Sequence, residues 1–141
     1  MSTGLDVFDT TVQQTNLWLK DLMERLRLDR KHAYRVLSAT LHALRDRLGP
    51  DSAVHLGAQL PMLIRGFYYE GWHVAATPTR IRHKDDFLDY VNGDVFRGLG
   101  VDPEQAVRAV FEVMTNRIDR GEIDKLIKLL PDELRKLWPS A

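Results

Sequence analysis

Apolar residues recur along this chain with a helical period. Phe8, Val12, Leu19, Leu22 and Leu26 are spaced to share one helix face, which Leu17 and Trp18 widen. Gln13, Gln14, Lys20, Asp21 and Arg25 fall elsewhere. A second helix carries Tyr34, Leu37, Leu41, Leu44 and Leu48, with Asp29 as its N-cap and Gly49-Pro50 as its stop. Asp51 or Ser52 opens a short third helix through Leu56 and Leu60. Pro61 interrupts it and starts a fourth, ending at Glu70-Gly71 and carrying Leu63, Ile64 and Phe67, because proline in a first turn forfeits no hydrogen bond.

Trp72 to Arg82 has no helical period and contains Ala75-Ala76-Thr77-Pro78-Thr79, a connector signature. Thr79-Arg80-Ile81-Arg82 alternates, but too briefly for a strand. Beyond it Phe87, Val91 and Val95 share a helix face, with Gly98 and Gly100 ending that helix. Asp102-Pro103-Glu104-Gln105 is a strong helix start, followed at helical spacing by Val107, Val110, Phe111, Met114 and Ile118. Gly121 breaks the chain before a short helix with Ile123, Leu126, Ile127 and Leu130. Pro131-Asp132-Glu133 opens the last, whose apolar face is Leu134, Leu137 and Trp138.

The second half therefore repeats the first. Leu41, Leu44, Leu48, Leu56, Leu60, Pro61 and Arg65 map onto Phe111, Met114, Ile118, Leu126, Leu130, Pro131 and Arg135 at a constant offset of 70. Upstream the offset drifts to 73 (Ala33/Ala106) and then 79 (Phe8/Phe87), which implies a longer first helix in the first copy. The expected fold is all-α: eight helices in two pseudo-repeated four-helix units, each with two longer helices followed by two short ones. The expected division is a first repeat over 1–71, a linker over 72–82 and a second repeat over 83–141. Units this small bury too little alone, so they are expected to share one core.

Composition narrows the function classes. The 141 residues are 44% hydrophobic and 28% charged, enough for a globular core. Twenty basic residues balance twenty acidic ones, which argues against a dedicated nucleic-acid or polybasic membrane binder. The absence of cysteine removes disulfides, thiolate nucleophiles, iron–sulfur clusters and cysteine-type zinc sites, and fits a reducing cytoplasm. Met1 to Asp9 has no signal-peptide pattern, and no apolar run approaches a membrane span.

Candidate chemistry is sparse. His32, His42, His55, His73 and His83 make no helical metal pair; His55 follows Asp51 by four residues, which permits a local hydrogen bond. Gly98-Leu99-Gly100 follows a helix, not a strand, and reads as a turn. Asp85-Asp86 suits a helix start. No catalytic residue, metal site or cofactor is expected. Arg25, Arg27, Arg30, Lys31 and Arg35 form a local basic cluster, diluted by Glu24 and Asp29. It reads as a solvated helix junction, with a phosphate or nucleic-acid contact as the sharper alternative.

The most unusual segment is Arg65-Gly66-Phe67-Tyr68-Tyr69-Glu70-Gly71-Trp72, where three consecutive aromatics cannot all face one way on a helix. Either Phe67 and Trp72 are core while Tyr68 and Tyr69 pack under the linker, or the run is a partner surface, in its simplest form a self-interface.

Several of these stretches carry a resemblance. The segment from Phe8 to Lys20, Leu41-His42-Ala43-Leu44-Arg45-Asp46-Arg47-Leu48, the run from Ala53 to Pro61, and Arg65 to Trp72 resemble a bacterial domain-of-unknown-function family, number 2267. In the second half, Val107 to Phe111 and Leu130 to Trp138 resemble it too. The resemblance implies an all-helical fold with duplicated halves. It implies no activity, catalytic residue or cofactor. Asp46, Arg47, His55, Gln59, Arg65, Tyr68, Tyr69, Glu70 and Trp72 stand out within the matching motifs.

The function expected is a non-catalytic helical protein–protein interaction module, its partner an unknown protein or a second copy in a homodimer, acting through Arg65, Tyr68, Tyr69, Glu70 and Trp72 with His55 and Gln59. Two alternatives stay open. One is small-molecule binding or catalysis in a groove between the repeats, lined by His55, Gln59, Arg65, Tyr68 and Glu70. The other is nucleic-acid binding through Arg25 to Arg35.

Overall fold

In a computed structural model, which describes residues 2–93, 96 and 98–140, the chain is all-α. Its helices are α1 (Asp6–Leu26), α2 (Arg30–Arg47), α3 (Pro50–Gly57), α4 (Met62–Tyr69), α5 (Lys84–Asn92), α6 (Pro103–Arg117), α7 (Arg120–Lys128) and α8 (Asp132–Arg135), with one 3-10 turn at Val74–Ala76. No helix among the described residues is long and apolar enough to cross a membrane.

The caps follow the sequence. Asp29 accepts from the His32 amide at 2.9 Å and Asp102 from the Gln105 amide at 3.0 Å, each satisfying an orphan donor of a first turn. Several boundaries differ from expectation: α3 ends at Gly57, short of Leu60, and α8 at Arg135, short of Leu137 and Trp138. Pro50 is the first residue of α3 rather than the stop of α2, Gly49 being the N-cap. Gly121 lies inside α7, because Asp119 already caps that helix through the Glu122 amide. Finally, α5 ends at Gly93, whose φ of +40° breaks the helix well before Gly98 and Gly100; Val95 lies outside the described residues. As a result α5 is short, and the second half has one longer helix, α6, rather than two.

The α2 and α6 helices pack on each other at the centre. Helix α1 lies on α2, α4 and α6, while α5 lies on α6, α8 and α2. The core runs through all of them: Leu37, Leu41 and Leu44 of α2 and Val107, Val110 and Met114 of α6 are almost completely buried. Trp138 stacks on Phe111 with ring centroids 4.0 Å apart.

The buried face of α1 is turned from the expected one. It consists of Thr11, Thr15, Trp18, Leu19 and Leu22, whereas Phe8, Val12 and Leu17 are exposed. Two threonines are tolerated inside because both hydroxyls are satisfied. Thr15 Oγ1 donates to the Thr11 carbonyl at 2.7 Å, and Thr11 Oγ1 accepts the Leu63 amide at 2.9 Å. Thr11 thereby caps α4, whose own N-cap residue, Pro61, makes no side-chain capping bond.

Candidate functional site

The last turn of α2, Arg45-Asp46-Arg47, bonds across to the end of α4 and to the connector over 72–82. Arg45 is 3% exposed. Its Nη1 donates to the carbonyls of Tyr68 (2.7 Å) and Glu70 (3.0 Å), and its Nε to Asp46 at 2.8 Å. Asp46 accepts the Tyr90 hydroxyl on its carboxylate and the Thr79 amide on its carbonyl. Arg47 Nε donates to the Ile81 carbonyl at 2.5 Å. His42 donates to the Phe67 carbonyl at 2.6 Å. One turn of α2 thus fastens the end of α4 and the connector behind it.

The aromatic run is built into this frame. Tyr68 is fully buried, its hydroxyl donating to the Ala53 carbonyl at 2.6 Å, and burial pushes its phenol well above the ordinary range. The expectation that Tyr68 lines a binding surface is corrected: it is a core residue joining α4 to α3. Tyr69 donates to the Val54 carbonyl and stacks on Trp72 at 5.6 Å; both are half-buried at the rim of the core. Phe67 meets Tyr34 edge-on at 5.1 Å. Gly57 is buried beneath Tyr69, where a Cβ would fall 2.2 Å from the hydroxyl oxygen.

The other candidate residues separate. Arg65 closes the end of α3, donating from Nε to the Gly57 carbonyl at 2.9 Å and from Nη2 to the Leu60 carbonyl at 3.0 Å. Arg135 repeats this with the Leu130 and Lys128 carbonyls at 2.7 and 2.8 Å. Glu70 is exposed at the edge of a groove of about 750 Å³ between α1, α2 and α4, walled by Leu19, Tyr34, Leu63 and Phe67.

His55 and Gln59 do converge, on a groove of about 400 Å³ between α3 and α7. Leu56, Ile118, Ile123 and Leu126 form its floor, and Asp51, Glu122, Lys125 and Lys128 stand around it. His55 Nε2 donates to Glu122 across the groove at 2.5 Å, so its partner is 67 positions away rather than the local Asp51. Among the described residues no three His, Cys, Asp or Glu side chains are grouped to hold a metal ion.

Within the basic cluster, Arg25 pairs with Asp21 at 2.7 Å and with Glu112, and Arg30 donates to Asn16. Arg45, buried and central, was not among the expected site residues; its place four positions after Leu41, on the inward face of α2, is the signal that marks it.

The fold and its surfaces define an all-helical protein with grooves between its short helices. A family model described as "Uncharacterized conserved protein (DUF2267)" matches residues 15–137, and the chain belongs to that family. No curated protein matches it.

Proposed function

We propose that the protein is an interaction module that pairs with a second copy of itself through the outer face of α1 and the start of α4. The observation that carries the reading is an apolar stripe left uncovered. Leu5, Phe8 and Val12 follow one another at helical spacing and are 53%, 47% and 39% exposed. Met62 and Leu63 are comparably exposed, and Thr11 bonds Leu63 between the two helices. The stripe runs into the groove walled by Leu19, Tyr34 and Phe67. An uncovered apolar surface of this kind is characteristic of an interface. Its ends carry opposite charge: Asp6 and Asp9 at one, Arg30 and Lys31 at the other. In an antiparallel two-fold pairing the acidic end of one copy meets the basic end of the other. Sedimentation over a concentration series tests this. The native chain should form a dimer that Val12→Lys abolishes without changing the folded monomer's helicity. A native chain that stays monomeric at every concentration overturns the reading.

A second reading rests on the groove between α3 and α7, whose apolar floor and His55–Glu122 bridge suit a small apolar molecule with a polar end. Under that reading, native mass spectrometry finds a retained ligand that Leu129→Glu, at an exposed leucine lining this groove, expels.

We also infer that the halves, 1–71 and 83–141 with the linker 72–82 between them, descend from one duplicated unit. Matched burial supports this. Leu41/Phe111, Leu44/Met114, Leu60/Leu130, Ile64/Leu134 and Tyr68/Trp138, each 70 positions apart, are all 5% exposed or less. The carbonyl-capping arginines Arg65 and Arg135 stand at the same offset.

A further inference from the structure

Two surface hollows share one plan. Arg47, the last residue of α2, and Arg135 of α8 line one of about 450 Å³, beside Leu130 and Pro131. Arg117, the last residue of α6, and Arg65 of α4 line the other, beside Leu60 and Pro61. These four residues of the first, Arg47, Leu130, Pro131 and Arg135, have their counterparts in the second 70 positions away, so each of these arginine pairs draws one member from either half of the chain.

The two differ in counter-charge. In the second, the Asp21 carboxylate lies 3.8 Å from Arg117 Nη2. In the first, Arg82, His83 and Lys128 join the two arginines. Of its two carboxylates, Glu133 is fully engaged, accepting from His83 Nδ1 at 2.8 Å and from the Lys84 amide at 3.0 Å. Asp132 is 91% exposed and 3.8 Å from Arg135. Among the described residues no carboxylate pairs with Arg47 or Arg82.

Two of these cations, Arg47 and Arg135, are held in place. Arg47 is fixed by its bond to the Ile81 carbonyl, and Arg82 is the next residue, so the backbone itself sets two like charges side by side. Burial, and then Arg82, hold the Arg47 guanidinium below its ordinary value. Arg135 is fixed by two carbonyl bonds. Guanidiniums ordered beforehand and crowded by their own kind are matched by a compact, multiply charged oxyanion, which accepts in pairs from each fork and relieves the repulsion.

We propose that the hollow formed by Arg47, Arg82 and Arg135 binds a phosphate group, either as free phosphate or as the phosphomonoester end of a small molecule. Titration calorimetry in low-chloride buffer tests it, with inorganic phosphate, glycerol phosphate and glycerol as probes. Phosphate should bind saturably and glycerol should not. Arg82→Gln, at an exposed side chain, should weaken binding about tenfold or more, the loss expected for a charged hydrogen bond. Arg120→Gln, remote and paired with Asp124, should leave binding unchanged. Tighter binding of glycerol phosphate than of phosphate identifies an ester as the ligand; equal binding identifies free phosphate. Either supports the site. Absence of saturable binding, binding indifferent to Arg82→Gln, or binding of a short RNA but of neither small anion overturns it.

Discussion

Tyr68 donates its hydroxyl to the carbonyl of Ala53 at 2.6 Å, and neither residue reaches solvent. The bond ties α4 to α3 across a turn that Arg65 closes from the other side. Tyr68→Phe should lose about 1 kcal/mol, the net worth of one hydrogen bond. Tyr68→Ala, which also empties a core position, should lose about 3–5 kcal/mol. Urea denaturation measures both. Equal losses would show that the hydroxyl, not the ring, holds this junction.

Gly57→Ala should destabilise the protein by about 1–3 kcal/mol through overpacking. The added methyl meets the Tyr69 ring, which is stacked on Trp72 and bonded to Val54 and has to move as a unit. The thermal midpoint reports the loss. Pairing the change with Tyr69→Ser should recover part of it.

Arg45→Ala leaves two carbonyls and the Asp46 carboxylate without their shared donor. Breaking a buried pair of this kind costs about 3–5 kcal/mol. Arg45→Lys should recover little, because an ammonium cannot span the same acceptors as a planar fork. Hydrogen exchange at Thr79, whose amide bonds the Asp46 carbonyl, should accelerate in both variants before global unfolding.

Stability should fall in alkali through Tyr90. Burial, and then its bond to Asp46, push this phenol from 10.0 up to about 12. The fold favours the protonated form. That contribution is complete below about pH 10 and is lost as the pH rises through about 12. Tyr90 is 46% exposed, so screening keeps the effect modest. Urea midpoints at about pH 9 and about pH 11.5 should diverge less in Tyr90→Phe than in the native chain; an identical divergence would exclude Tyr90 as a source.

The helices were legible because apolar spacing and capping residues agree along most of the chain, as at Asp29 and Asp102. The orientation of α1 was not. A count of apolar residues includes Phe8 and Val12 and passes over Thr11 and Thr15, whose burial depends on hydrogen bonds partly made by a residue of α4. Tyr68 was ambiguous for a related reason: its hydroxyl finds its acceptor 15 positions upstream, which no local pattern announces. His55 and Gln59 reach a common groove only because α3 and α7 are brought face to face, and the other candidates near them in sequence serve the frame.

The packing of α1 on α6 and of α5 on α2 has a topological consequence. Each half supplies walls for the other's interior, and the connector between them is fastened at its far end, at Thr79 and Ile81. Chain continuity through residues 74–78 is therefore redundant in the folded state. A nick there should leave two fragments that stay associated without a covalent link.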